Sequence, residues 1–281
     1  MRTLWFSQPV PAPTLTEYLQ QLQQQGVTHV EIDDSARQVL RELYTRGSAK
    51  RPNPTKSTSP AKTVTNTPPA ALTATGNTPA DKIASLAQTA KDWPATKALG
   101  TLRDTLVFST GNAEADLMII GEAPGYHEEQ KQEPLVGPAG AKLDQILKAM
   151  GLSRQQVYLT NICKNRPATK NQTMNNRKPS PVEMESSLPF LKAEIDIVKP
   201  KAIIALGATA AQTLLNSDQK IDLLRNSWHQ FQGIPLRVSY HPSYLLLEEG
   251  LTDKRKVWED MLAAMEQLKL PISDKQRSFF T

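Results

Sequence analysis

LMIIGEAPGYHEEQKQEPLVGPAG, residues 117–140, decides the fold. Four apolar residues, Leu117 to Ile120, run into a glycine-rich loop, and an amphipathic stretch begins near Ala139. Strand, loop, helix is the arrangement that gathers backbone N–H groups and side chains at a strand's carboxyl end. Gly121, Gly125, Gly137 and Gly140 allow close backbone approach, while Pro124, Pro134 and Pro138 stiffen the path. Glu122, Glu128 and Glu129 put carboxylates into the loop, and carboxylates repel phosphate. The loop is built to hold something polar that is not anionic.

Outward from it, strand and helix signals alternate. Leu143, Ile146, Leu147 and Met150 recur at helical spacing and Gly151 offers a C-cap. Val157-Tyr158-Leu159-Thr160 is a second strand ending at Asn161, followed by a basic loop over 164–181 and a helix over 181–198. Ala202 to Leu206 is a third strand, apolar throughout, as expected when both sheet faces are covered. Gly207 turns the chain into a helix over 208–215; a fourth strand over 236–240 delivers His241-Pro242, and a last helix spans 253–268. Upstream, a helix is expected over 81–91, with a connecting stretch to Val107-Phe108. The class is α/β: a three-layer α/β/α domain over 81–281 around a central, mainly parallel four-stranded sheet.

The remainder is of different character. The apolar fraction of 39% and the 21 prolines indicate that part of the chain does not fold compactly. Residues 47–80 are rich in Ser, Thr, Pro, Ala and Lys, with little apolar surface to offset ordering entropy, and read as a disordered basic linker. Residues 1–46, with helices expected over 15–24 and 35–45 and a short strand over 27–32, form a small appendage that could bind a protein partner.

The formal charge of +5 permits a nucleic-acid partner without requiring one. No run approaches the ~20 apolar residues of a membrane span, and the amino terminus lacks a secretory pattern, so a cytoplasmic monomer is expected. Cys163 is the single cysteine, which excludes an internal disulfide and a cysteine-ligated cluster within one chain. It has no base beside it in sequence and reads as buried filler. His29, His127 and His229 show no metal-ligand spacing, so no metal or cofactor is expected.

Three polar features stand at strand ends: the loop from Gly121 to Glu129, Asn161 and His241. A side-chain amide offers a donor and an acceptor together, which suits the edge of a base. A histidine donor stabilises charge developing on a carbonyl oxygen. Singly each has a plainer role, Asn161 as a strand-end cap and His241 as a turn residue. Their convergence on one end of one sheet favours a site.

These stretches together resemble the uracil-DNA glycosylase superfamily, most closely its family 4, the thermostable iron–sulfur type. The matching pieces, in order, are GEAPG (121–125), Glu128-Glu129, LVGPAG (135–140), VYLTN (157–161), KPKAIIALGATAAQTLL (199–215) and HPSYLL (241–246). The resemblance implies a parallel sheet between helices and hydrolysis of the N-glycosidic bond of deoxyuridine in DNA after the nucleotide is flipped into a pocket. It implies that Gly121, Ala123, Gly125, Leu135 and Asn161 surround the base, Asn161 reading the uracil edge. His241 would donate to the O2 side, Glu128 would help position water and Glu122 would hold the loop. Pro242, Ser243 and Tyr244 fall in the segment that wedges into the duplex. Lys164, Arg166, Lys170, Arg177 and Lys178 of the basic loop are the candidate phosphate contacts.

The chain departs from that pattern in three ways. The family ligates a [4Fe–4S] cluster with four cysteines; here Asn165 and, approximately, Ser187 stand where two would be and the earlier pair is missing. Leu135 stands where the family usually has a Phe that stacks on uracil, a contact worth about 1–3 kcal/mol, with Tyr126 the nearby aromatic that could compensate. Pro138 replaces a common Arg. The expected function is a monofunctional uracil-DNA glycosylase of base excision repair acting on uracil-containing DNA. The alternatives are a weak or inactive relative serving as a nucleic-acid-binding or protein-interaction module, and a hydrolase of free nucleosides or nucleotides.

Overall fold

The computed structural model describes residues 72–168, 171–247 and 250–280. The appendage expected over 1–46, most of the linker expected over 47–80, and Lys170 lie outside the described residues.

The helices α1 (Pro79–Lys91) and α2 (Pro94–Lys97) precede the strands β1 (Leu102–Leu106), β2 (Ser109–Gly111) and β3 (Leu117–Gly121). The helices α3 (Tyr126–Lys131) and α4 (Gly137–Ala149) follow, then β4 (Tyr158–Asn161), β5 (Asn165–Pro167), α5 (Pro181–Val198) and β6 (Ala202–Leu206). After them come α6 (Ala208–Leu215), α7 (Ile221–Leu224), β7 (Trp228–Phe231), β8 (Ile234–Ser239), α8 (Tyr244–Leu247), α9 (Leu251–Gln267) and α10 (Asp274–Arg277). The main sheet has the order β2-β4-β3-β6-β8-β7, and β1 and β5 form a separate antiparallel pair.

The four expected parallel strands are the centre of this sheet, β4, β3, β6 and β8. The sheet has six strands rather than four because β2 and β7 add to its edges in antiparallel fashion. Neither edge strand has the continuous apolar run of a buried strand; the ladders to β4 and β8 hold them. The fourth parallel strand begins two residues before the expected position and ends at Ser239.

Alternation along each central strand sorts side chains into two cores. Met118, Ile120, Tyr158, Ile203 and Ala205 face Leu191, Ile195 and Val198 of α5 and Ala210, Ala211 and Leu214 of α6. Leu117, Ile119, Leu159 and Ile204 face Leu143 and Leu147 of α4 and Val257, Met261 and Ala264 of α9. The result is the three-layer α/β/α arrangement.

The folded unit begins before residue 81. Thr78 caps α1, accepting from the Asp81 N–H at 3.1 Å while Asp81 accepts from the Thr78 N–H at 3.0 Å. Leu72 and Ala74 pack against a third cluster containing Leu86, Phe108 and Phe190. Trp93 and Phe108 both meet Phe190 edge-on, at 5.0 and 6.0 Å between centroids. Gly121, Asn161, Leu206 and Ser239 end the central strands on one side, so their following loops meet over one edge of the sheet.

Candidate active site

A cleft of about 490 Å³ opens over those strand ends. Glu122, Ala123, Gly125 and Leu135 line it together with His241, Ser243 and Leu246. Asn176, Arg177 and Lys178 complete it from the basic loop.

The first loop is held by Glu128. One oxygen of its carboxylate accepts from the Gly125 N–H at 3.0 Å and the other from the Val136 N–H at 2.9 Å, stapling the two ends of the loop across α3. Glu122 borders the cleft, and its carboxylate has no hydrogen bond among the described residues. The loop-holding bonds expected of Glu122 are therefore those of Glu128. Leu135 is buried, with φ +55°, a left-handed conformation that strains a leucine. Arg154 secures that turn by donating to the Leu135 carbonyl.

Asn161 is 1% exposed, and neither atom of its side-chain amide has a hydrogen-bond partner among the described residues. Buried polar groups are nearly always paired, so such an amide is a site prepared for a ligand edge or a cost without return. Gly121 lies directly over it, and a Cβ there would collide with Asn161 Oδ1. Leu135, which lines the cleft, reaches the same spot; Asn161 and Gly121 are not themselves among the lining residues.

His241 presents a defined tautomer. Its Nδ1 accepts from the Ser243 N–H at 3.2 Å and lies 2.8 Å from Ser243 Oγ, so in the neutral ring the hydrogen is on Nε2. Burial pushes its pKa below the ordinary value, opposed by the Glu122 charge, and the ring is neutral at pH 7. Of the segment after it, Pro242 is buried and Tyr244 stacks on Tyr240 at 4.6 Å. Pro242 and the half-buried Tyr244 thus pack against the protein. Ser243 and the 44%-exposed Leu246 are the ones that face the cleft.

The basic loop is also mostly turned inward. Lys164 and Arg166 are each 1% exposed, which corrects their expected role as phosphate contacts. Lys164 pairs with Glu194. Arg166 pairs with Glu129 at 2.8 Å and donates to the carbonyls of Thr173 and Asn175 at 2.7 and 2.9 Å. Its guanidinium also lies 5.4 Å from the Tyr126 ring. Tyr126 is held there and is not part of the cleft lining, so it does not replace the missing aromatic platform. Arg177 borders the cleft but forks onto Glu183 at 2.5 and 2.9 Å. Burial opposes ionisation of Glu183, yet bonds from Arg177, Thr101 and the Ser180 N–H outweigh it and hold its pKa at about 2, keeping that pair charged. Lys178 is exposed and has no ion pair among the described residues. Asn176 went unnoticed in the sequence. It accepts from the Tyr126 N–H at 3.0 Å, and its loop is held by Arg166 at Thr173 and Asn175, by Arg103 at Gln172 and by Arg177 at Glu183.

The sequence profile of the Uracil DNA glycosylase superfamily matches residues 108–262. The chain belongs to this superfamily. Among its relatives is the Type-4 uracil-DNA glycosylase of Thermotoga maritima, 34% identical over 170 residues, covering 59% of this chain and 85% of that protein. The Type-4 uracil-DNA glycosylase of Archaeoglobus fulgidus is 42% identical over 162 residues, 53% of this chain and 78% of that protein. That of Pyrobaculum aerophilum is 34% identical over 157 residues, 53% and 77% respectively.

As a superfamily member of the family-4 kind, the chain would be expected to hold an iron–sulfur cluster, and its residues do not fit one. A cluster is held by several thiolates, and Cys163, the single cysteine, is buried. Asn165 Nδ2 donates to the carbonyls of Arg103 and Thr105 at 3.0 and 3.2 Å, and Ser187 is buried within α5. Among the described residues no three His, Cys, Asp or Glu side chains are placed to hold a metal ion. No helix among them is long and apolar enough to cross a membrane.

Proposed function

We propose that this superfamily member is a monofunctional uracil-DNA glycosylase of base excision repair, hydrolysing the N-glycosidic bond of deoxyuridine in DNA. The observation that carries the reading is the buried, partnerless amide of Asn161 beside Leu135 of the cleft wall. Uracil presents O4 as an acceptor and N3–H as a donor, the complement of one side-chain amide. A nucleotide flipped into the cleft satisfies both amide atoms, and the energy of unstacking is offset by bonds formed nowhere else.

In this reading Leu135 supplies the apolar contact to the base. As the C1′–N1 bond breaks, its electron pair moves onto uracil N1 and spreads to O2. The Nε2–H of neutral His241 donates to that oxygen, a fixed donor aimed at charge that develops only in the transition state. Glu122 orients the water that adds to C1′ and accepts its proton. Lys178 meets a DNA phosphate, and Leu246 occupies space near the emptied stack. The protein acts as a monomer without a cofactor, and residues 1–46 form a partner-binding appendage on the linker that follows.

The test is strand cleavage of an oligonucleotide carrying one deoxyuridine, with alkali treatment, alongside Asn161→Ala and His241→Ala. Cleavage that both substitutions reduce supports the reading. Retained DNA binding without cleavage of uracil, hypoxanthine or xanthine substrates would make the chain a non-catalytic nucleic-acid-binding relative.

A further inference from the structure

We propose that the buried Lys164–Glu194 pair is a positioning device for Asn161, which makes Lys164 a positioning residue for base recognition. This rests on the reading of Asn161 as the residue that meets the base.

The pleat of β4 places Tyr158 and Thr160 on the α5 face of the sheet and Leu159 and Asn161 on the α4 face. Lys164 and Glu194 therefore act on Asn161 from behind. Glu194, on α5, accepts from Tyr158 Oη at 2.9 Å, from Thr160 Oγ1 at 3.1 Å and from Lys164 Nζ. Lys164 Nζ also donates to Thr160 Oγ1 at 2.6 Å and to the backbone carbonyl of Asn161 at 2.9 Å. Each ammonium hydrogen thus has an acceptor, and one of the three is the peptide group that carries the Asn161 side chain. The β2–β4 ladder ends at Ser109 and Thr160, one residue short of Asn161, so Lys164 takes over where the ladder stops.

The pair is an uneconomical way to stabilise a fold. Its side chains are 2% and 0% exposed, and a buried ion pair contributes no more than well-packed apolar residues of similar size. Burial pushes Lys164 down and Glu194 up, while their mutual bonds oppose both shifts. What the pair supplies that an apolar pair cannot is a directed hold on one carbonyl oxygen. A displacement of about 1 Å at a reacting centre can lower a rate by about a hundredfold.

The experiment uses the Lys164→Met/Glu194→Gln double variant, which removes both charges and leaves an acceptor for Tyr158 and Thr160. Its urea midpoint is compared with wild type, together with the Asn161 side-chain amide NMR signal, inhibition by free uracil, binding to undamaged duplex and single-turnover uracil excision. The expected result is a near-wild-type midpoint, a shifted or broadened amide signal, uracil inhibition weakened about tenfold or more and excision slowed tenfold to a hundredfold, with binding to undamaged DNA unchanged. An unchanged amide signal and unchanged uracil inhibition would overturn the proposal. Should the double variant fail to fold, Lys164→Met alone, which removes the donor to the Asn161 carbonyl, is read by the same two signals with the same meaning. If the wild type neither excises nor binds uracil, the reading of Asn161 fails. The amide signal then still decides whether Lys164 holds it.

Discussion

Gly121 and Asn161 are register partners on the adjacent parallel strands β3 and β4, and the Asn161 side-chain oxygen fills the space that a Cβ on Gly121 would occupy. A glycine is required here for close approach rather than for its backbone angles. Gly121→Ala forces either β3 or the amide to move, at a cost of about 1–3 kcal/mol in stability. Uracil excision is expected to fall about a hundredfold, because the displaced amide no longer meets the base. Single-turnover kinetics and a urea titration measure the two effects; an unimpaired rate would separate Gly121 from recognition.

Much of this was legible in the sequence, for physical reasons. Continuous apolar runs such as Ala202 to Leu206 arise when both faces of a strand are covered, so the four central strands stand out. The edge strands β2 and β7 have no such run and owe their structure to ladders with distant segments. Asn161 and His241 were recognisable because each stands directly at the end of a strand legible in the sequence. Lys164 and Arg166 were misread because such side chains are almost never fully buried unless paired. Their partners Glu194 and Glu129 lie 30 and 37 residues away, beyond any local pattern. The same distance problem hid Asn176, whose loop is held by Arg166 and the distant Arg103. The division of labour between Glu122 and Glu128 depends on which carboxylate reaches the Val136 N–H, and spacing alone does not specify that.

The protonation of His241 gives a pH test. Burial lowers its folded-state pKa below 6.5, the ordinary value, while the Glu122 charge works the other way. Between the folded and unfolded values the unfolded chain binds more protons. The stability tied to the neutral ring is therefore complete above about pH 6.5 and is lost as pH falls through the window beneath it. The His241 ring followed by NMR is expected to titrate below pH 6.5, with the acid limb of excision at the same midpoint. Glu122→Gln removes a charge that favours the imidazolium and is expected to move the midpoint lower still. A midpoint at or above 6.5 would contradict a neutral donor.

Glu122 and Glu128 are expected to separate activity from stability. Glu128→Ala leaves the Gly125 and Val136 N–H groups without their acceptors and is expected to lower stability by about 1–3 kcal/mol, with activity falling as the loop loosens. Glu122→Gln breaks no hydrogen bond among the described residues and should leave stability within about 0.5 kcal/mol. Its excision rate is expected to fall about a hundredfold or more, the low end of the usual range for a proton-transfer group. Urea midpoints and single-turnover rates for both variants check the contrast; loss of stability in Glu122→Gln would assign it to the scaffold.

Cys163 provides a chemical check on the interior. It is buried, and its thiol is pushed up to about 12, chiefly by burial. Thiolate is the reactive form, so a disulfide reagent at pH 8 is expected to leave the native protein unmodified and to label one thiol per chain in denaturant. Rapid labelling of the native protein would mean that the strand end carrying Asn161 opens readily, since Cys163 lies just two residues beyond it.

Among the described residues of the basic loop, Lys178 is the cation free to meet a phosphate, because Arg177 is committed to Glu183 and Lys164 and Arg166 are internal. A phosphate contact releases about one condensed counterion, so the slope of log binding constant against log salt is expected to shrink by about 1 in Lys178→Ala. The loss should be the same for uracil-containing and undamaged duplexes, since a phosphate contact positions the DNA without reading a base. Excision measured at saturating DNA should change little, and the effect should appear in affinity. An unchanged salt slope would show that Lys178 is a solvated side chain.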